Sequence, residues 1–403
     1  MTHEPITSET THEAVTRTPR TPLGLYALAL ASFAVGLAEF VIAGLLPDVA
    51  TDLSVSAGNA GILVTTYAVG IIVGALALTT TLSRVPPKSA LIRISVIFVI
   101  GNLLSALGPN FEIVLAGRII AGITNGAFLG MGLVVAVSLV DTRRHGRAIA
   151  TMLGGLTLAN VLGVPLGTAL GQHFGWRAVF GIIAALAVVA TLAIVAVVPH
   201  VASAPTSSLA DLRHLLNRQA LLAMGIATFG FGGMFGAFTY VALTLTKVSG
   251  YPAGAVPWLL VLFGIGLMVG NALAGRLVDR SPDATLAGSL VGLLAVQILL
   301  GTVAGHPVVA ALSLGLMGMF GFAAAPGYQQ KVMRHARAAG AIASGAPIAA
   351  VNLGNALGSW LGGVLITAGF GYTSPIWMGA VATGLALVLL AVAARPAFRQ
   401  GDD

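Results

Sequence analysis

Long apolar runs separated by short polar breaks set the rhythm of the chain from residue 23 onward. Runs of spanning length lie at about 23–46, 59–82, 90–108, 111–140, 148–171 and 177–198. A polar stretch from His200 to Gln219 follows, and six more runs lie at about 219–245, 256–278, 284–304, 308–330, 338–368 and 374–394. About twenty helical residues, each rising ~1.5 Å, cross the hydrocarbon core of a bilayer. The pattern therefore predicts an all-α integral membrane fold of twelve transmembrane helices. Residues 1–22, rich in Thr, Glu, Pro and Arg, have no apolar core and read as a disordered tail without the form of a secretory signal. Residues 395–403 form a second short polar tail.

The placement of positive charge orients these spans. Of the 20 Lys and Arg residues, seventeen fall in the tails and in the loops on the side of both termini. Arg177 and Lys247 fall on the other side, and Arg118 lies inside the fourth span. This asymmetry predicts that both termini are cytoplasmic.

The two halves align at an offset of 196 residues. Leu63, Gly70, Val73, Gly74, Arg84 and Pro86 meet Leu259, Gly266, Val269, Gly270, Arg280 and Pro282. Phe33, Gly36, Gly122 and Gly175 meet Phe229, Gly232, Gly318 and Gly371. Six helices repeated in the same topology predict two bundles, residues 23–199 and 219–394, joined by a cytoplasmic linker at 200–218. Bundles related by an axis along the membrane normal place a ligand between them near the midplane and expose it alternately by rocking.

Composition removes other classes. Apolar residues make up 57% and charged residues 8%, and the mean hydropathy is +0.96, far from a soluble domain. The 52 glycines suit close helix approach in lipid. The pI near 10.2 reflects basic residues scattered through short loops, so nucleic acid is not an expected partner. With 0 Cys there is no thiolate metal site or disulfide, and no cofactor is expected. No loop gathers paired carboxylates, a His cluster or a nucleophile beside a base, which argues against an enzyme. The run Gly230–Gly236 follows no strand and lies within a span, so it is no nucleotide loop.

The remaining chemistry sits inside the membrane. Of the thirteen carboxylates, Glu39 alone falls within a span, and so costly a placement points to function. Glu39 lies eight residues from Pro47, roughly 12 Å from that helix end, and Arg118 seven residues from Phe111, roughly 10 Å. The two are expected to lie at similar depth and to pair. At the repeat offset their counterparts are Phe235 and Leu314, so proton handling is expected in the first half opposite an apolar wall. The alternatives are a helix–helix hydrogen bond for Glu39 and an electrostatic anchor for Arg118. Phe40, Tyr67, Asn125, Asn160, Phe235, Phe238, Tyr240, Asn271 and Asn352 are candidate substrate-cavity residues, each equally able to serve as packing or interhelical glue. Gly163, Pro165 and Gly167 in the fifth span, with Pro165 as a kink, are candidates for gating and helix packing.

Several stretches carry a family resemblance: AEFVIAGLLPDVA from Ala38, GRIIAGITNGAF from Gly117, LTLANVLGVPLGTALGQHFGWRAVF from Leu156 and NLGNALGSWLGG from Asn352. In these the chain resembles the major facilitator superfamily, and within it the drug:proton antiporters, near arabinose-efflux-like permeases and bacterial chloramphenicol exporters. The resemblance implies a monomer in the bacterial inner membrane that exports a small hydrophobic or amphipathic compound, such as an amphenicol antibiotic, against protons. Export of a sugar or metabolite and uncoupled facilitation are the alternatives. The family's loop motif after the second helix keeps Arg84 and Lys88 but has Thr79 for its Gly and Ser83 for its Asp. The second-half copy keeps Gly275, Asp279 and Arg280, so the latch that the resemblance implies is expected at Asp279.

Overall fold

The computed structural model describes residues 22–82, 85–200, 213, 215, 217–336 and 345–395. Twelve helices among them are long and apolar enough to cross a membrane. The first half holds α1 (Leu23–Asp52), α2 (Ala57–Leu78), α3 (Pro87–Leu107), α4 (Phe111–Ser138), α5 (Thr142–Phe174) and α6 (Trp176–Val197). The second holds α7 (Arg218–Thr239), α8 (Ala253–Leu277), α9 (Pro282–Val303), α10 (Pro307–His335), α11 (Ala346–Thr367) and α12 (Ser374–Ala393). Arg84, most of the 200–218 linker and nearly all of both tails lie outside the described residues.

Local chemistry sets several helix starts. Ser56 Oγ accepts from Asn59 N at 3.1 Å, Asn110 Oδ1 from Ile113 N at 3.1 Å, and Asn217 Oδ1 from Ala220 N at 2.8 Å. Each side chain satisfies one of the amides that a helix leaves unbonded at its start. Proline, which has no N–H to lose, occupies the first turn of α3, α9, α10, α11 and α12, and in α8 it opens the α-helical part that begins at Val256.

The described helices depart from the expected runs at several points. α1 runs through Pro47 to Asp52, past the expected end at residue 46. The apolar run stops there, but the helix does not, and Thr51 Oγ1 donates to Pro47 O at 2.9 Å within the added turn. The seventh run breaks at Tyr240 and resumes as Val241–Lys247. α5 contains a π-helical turn at Ala159–Gly163 directly ahead of Pro165, so a widened turn accompanies the proline there.

The internal repeat appears as repeated contacts. Gly74 lies against Ile123 O of α4, and Gly270 against Met319 O of α10. Gly122 lies against Tyr67 O, and Gly318 against Phe263 O. Every partner in these pairs is displaced by the same 196 residues. A side chain at these glycines would enter neighbouring backbone, so both halves depend on glycine at the same crossings.

At the face opposite the described ends of the chain, Arg177 pairs with Asp52 and donates from Nη2 to Gly108 O at 3.0 Å. The second half reaches the equivalent carbonyl by other means: Ser249 Oγ donates to Ala304 O at 2.7 Å. The halves meet where α2 packs on α11 and α5 on α8. α1 and α7 are the most buried spans, at 78% and 72%.

Candidate functional site

Because α1 ends at Asp52, Glu39 lies thirteen residues from that end, roughly 20 Å rather than the 12 Å expected from Pro47. It sits near the middle of a 30-residue helix. The match in level with Arg118 holds, since Arg118 Nη1 donates to Ala38 O at 2.8 Å. The expected ion pair does not form. No Arg118 nitrogen lies within 4.0 Å of the Glu39 carboxylate.

Backbone and ring contacts hold Arg118 instead. Its Nε donates to Leu63 O at 3.4 Å, and its guanidinium carbon lies 3.9 Å from the centre of the Tyr67 ring and 5.5 Å from that of Phe180. A planar, delocalised cation suits an aromatic face better than an ammonium does. Arg118 is 0% exposed, and its Nη2 has no hydrogen-bond partner.

Glu39, 8% exposed, takes its hydrogen bond from Asn125: Nδ2 donates to Glu39 Oε2 at 3.1 Å. The same nitrogen donates to the Tyr67 hydroxyl at 3.1 Å, and Tyr67 donates to Val35 O at 3.4 Å. Tyr67 and Asn125 were expected to line a cavity, but both are buried members of the acid's own network. Three helices of one half, α1, α2 and α4, supply all four side chains.

The repeat replaces this network with rings. Val35, Glu39, Tyr67, Arg118 and Asn125 correspond at 196 residues to Phe231, Phe235, Phe263, Leu314 and Gly321. Phe238 stacks on Phe263 at 4.3 Å between centroids, and Phe231 meets Phe322 edge-on at 5.6 Å. Phe40 extends the cluster across the halves, edge-on to Phe235 at 5.5 Å and to Phe238 at 6.5 Å. Phe40, Phe235 and Phe238 are among the cavity candidates that the sequence offers. Phe263 and Phe322 are not, although the repeat offset from Tyr67 points directly to Phe263.

The other candidates divide. Tyr240 is fully buried and donates to Ser359 O at 2.7 Å, so it is a packing residue and not a cavity wall. Its hydroxyl touches the places where Gly61 of α2 and Gly363 of α11 would carry side chains, so it closes the contact between the halves. Asn160 Nδ2 donates to Leu156 O at 3.0 Å, and its Oδ1 is buried without a donor. Asn352 donates to Ile348 O at 3.0 Å and accepts from Asn355 at 3.4 Å. Asn271 is half-buried on α8, seven residues from Gly264, which lies against Val161 and Asn160 of α5.

Gly163 and Gly167 pack on Phe33, Leu37 and Val41 of α1, within one half. Asp279 and Arg280 are exposed and make no ion pair among the described residues. An ion pair at that face joins Lys331 to Asp283 at 2.6 Å. Arg84 cannot be placed beside them, being outside the described residues. No group of three or more His, Asp or Glu among the described residues is placed to hold a metal.

Two pseudo-symmetric six-helix halves with a polar centre in one and an aromatic counterpart in the other define a secondary-transporter architecture. The chain belongs to the major facilitator superfamily, whose model matches residues 28–349. It is 40% identical over 372 residues to the inner membrane transport protein YdhP of Escherichia coli K12, covering 92% of this chain and 96% of that one. It is 33% identical over 373 residues to a chloramphenicol resistance protein of Streptomyces lividans, covering 91% and 95%. The fold matches the crystal structure of a D-xylose-proton symporter with a TM-score of 0.72 at 19% identity, covering 91% of this chain and 96% of that one. The chain is a multi-pass membrane transporter.

Proposed function

We propose that this transporter is a proton-coupled exporter of a small apolar or amphipathic compound in the bacterial inner membrane, with both termini cytoplasmic. The observation that carries this reading is the asymmetry of the repeat. A buried carboxyl with a neutral donor and a nearby guanidinium occupies one half, and rings occupy the same positions in the other. Proton exchange belongs to Glu39, and the rings from Phe40 to Phe263, buried against one another here, offer a surface for an apolar substrate once the halves part. The relatives named for inner-membrane transport and for chloramphenicol resistance support export of this chemical class.

Exchange works by competition. Burial favours the neutral acid, while Asn125 and the charge of Arg118 favour the carboxylate, so a small change in hydration or spacing shifts the balance. Substrate entering from the cytoplasm favours release of the proton inward. The outward state releases substrate and takes up a proton again. A potential of 100 mV adds about 2.3 kcal/mol per charge moved, more than tenfold in accumulation.

Export of a sugar or other hydroxylated metabolite is the second reading. Asn160 and Asn355 each bury an amide oxygen without a donor, which is what a hydroxyl would satisfy. Everted vesicles with a pH-sensitive dye test both readings, using chloramphenicol, other apolar drugs and arabinose. Apolar drugs should release protons in the unaltered chain and not in Glu39→Gln. Persistent exchange in Glu39→Gln would remove Glu39 from the mechanism, and a response to arabinose alone would favour the second reading.

A further inference from the structure

Asn125 holds Glu39 and Tyr67 through one atom. Both hydrogens of its Nδ2 are given away, at 3.1 Å each, while its Oδ1 is buried and receives none. That arrangement suits a charged Glu39, which can only accept. A protonated Glu39 keeps one accepting oxygen, but with its hydrogen on Oε2, the oxygen that faces Asn125, it would set donor against donor. A side-chain amide resolves this by a half-turn, which exchanges its nitrogen and oxygen in nearly the same volume.

We propose that Asn125 is a positioning residue whose amide reverses with the charge on Glu39, presenting nitrogen to the carboxylate and oxygen to the acid. The proposal rests on the reading of Glu39 as the proton carrier. No bond to Asn125 forms or breaks; the proton stays on the Glu39 carboxyl, and only donor and acceptor ends exchange.

The reversal passes to Tyr67. With Glu39 charged, Tyr67 accepts from Asn125 and gives its own hydrogen to Val35 O at 3.4 Å. With Glu39 neutral, the Tyr67 hydrogen turns to Asn125 Oδ1 and releases the Val35 carbonyl. Val35 lies one helical turn before Glu39, so a proton on α1 becomes a change in how α1 is tied to α2. Among the described residues, few groups face this network. α4 contributes Arg118, engaged with Ala38 and Leu63; α2 contributes Tyr67; the ring of Phe180 on α6 faces Arg118, and those of Phe235 and Phe238 on α7 face Phe40, the neighbour of Glu39. Arg118 stays charged through the exchange, which leaves Glu39 as the group whose proton the amide answers.

Difference infrared spectroscopy of the full chain in lipid vesicles, recorded between acid and alkaline pH, tests this. The carboxylic-acid band assigned to Glu39 by its loss in Glu39→Gln should titrate together with side-chain amide bands of an asparagine. Those amide bands should shift on ¹⁵N-asparagine labelling of the unaltered chain and vanish in both Asn125→Leu and Glu39→Gln. Labelling the unaltered chain keeps the test decisive if Asn125→Leu misfolds. A Glu39 band that titrates with no asparagine component would overturn the reversal and leave the proton reading standing. No titrating carboxyl band at all would overturn both.

Discussion

Arg118 bonds the backbone oxygen of Ala38 at 2.8 Å and leaves the carboxylate of the next residue to Asn125. The positive charge is thereby fixed to the helix backbone and not to the group proposed to change charge. A direct buried pair would resist protonation, because removing one charge strands the other. Anchored on a carbonyl and a ring, the guanidinium keeps its partners whether or not Glu39 carries a proton.

This geometry predicts that Arg118→Lys fails although it keeps the charge. An ammonium has no flat face for Tyr67 and cannot span the carbonyls of Ala38 and Leu63 together. A hydrogen bond from a charged group is worth about 1.5–3 kcal/mol. Transport in everted vesicles should fall at least about tenfold, with a lower melting temperature in detergent. Retained transport in the lysine variant would show that charge alone suffices.

Much of this was legible beforehand. Spans follow from apolar run length, and Glu39 and Arg118 stand out because charge in a membrane is costly. Their contacts were not legible, because depth arithmetic locates a residue along a helix but not the reach of its side chain. Arg118 is long enough to pass the carboxylate and find Ala38. The extension of α1 through Pro47 was hidden because hydropathy falls at Pro47 and Asp48 while the helix persists. Gln297 shows the same limit: a polar residue in a span, it bonds Gly233 O at 3.0 Å and Thr383 at 2.8 Å and is glue. No property of its own sequence separates it from Asn125.

Gly61→Ala should separate the halves at the α2–α11 contact. The new methyl meets the Tyr240 hydroxyl, which cannot swing away without losing its bond to Ser359 O. Overpacking costs about 1–3 kcal/mol, and here it falls only on the arrangement in which the halves touch. That shifts the population about 5- to 150-fold towards separation. The chain has 0 Cys, so spin labels on Asn59→Cys and Phe370→Cys report this contact without background. A long-distance component should grow in the Gly61→Ala chain; an unchanged distribution would show that the contact does not resist opening.

Arg177→Ala should matter much less than Arg118→Lys. Its ion pair with Asp52 is partly exposed, with side chains 32% and 48% accessible. Such pairs are worth about 0–1 kcal/mol and weaken in salt. The melting temperature should drop slightly at low salt, and the gap to the unaltered chain should close at high salt while transport persists.

Tyr67 has two separable jobs, which two substitutions divide. Its ring supports the Arg118 guanidinium from 3.9 Å, and its hydroxyl joins Asn125 to Val35. Tyr67→Phe keeps the ring and loses the hydroxyl's two hydrogen bonds, from Asn125 and to Val35 O, about 1 kcal/mol each. Tyr67→Leu loses both, and a desolvated cation–π contact adds about 2 kcal/mol. The phenylalanine variant should therefore melt nearer to the unaltered chain than the leucine variant does, yet show an altered pH profile of transport, because the hydroxyl takes part in the acid's network. The leucine variant should melt clearly lower and lose transport at every pH. Equal melting of the two variants would remove the ring from the support of Arg118, and an unchanged pH profile in Tyr67→Phe would remove the hydroxyl from proton exchange.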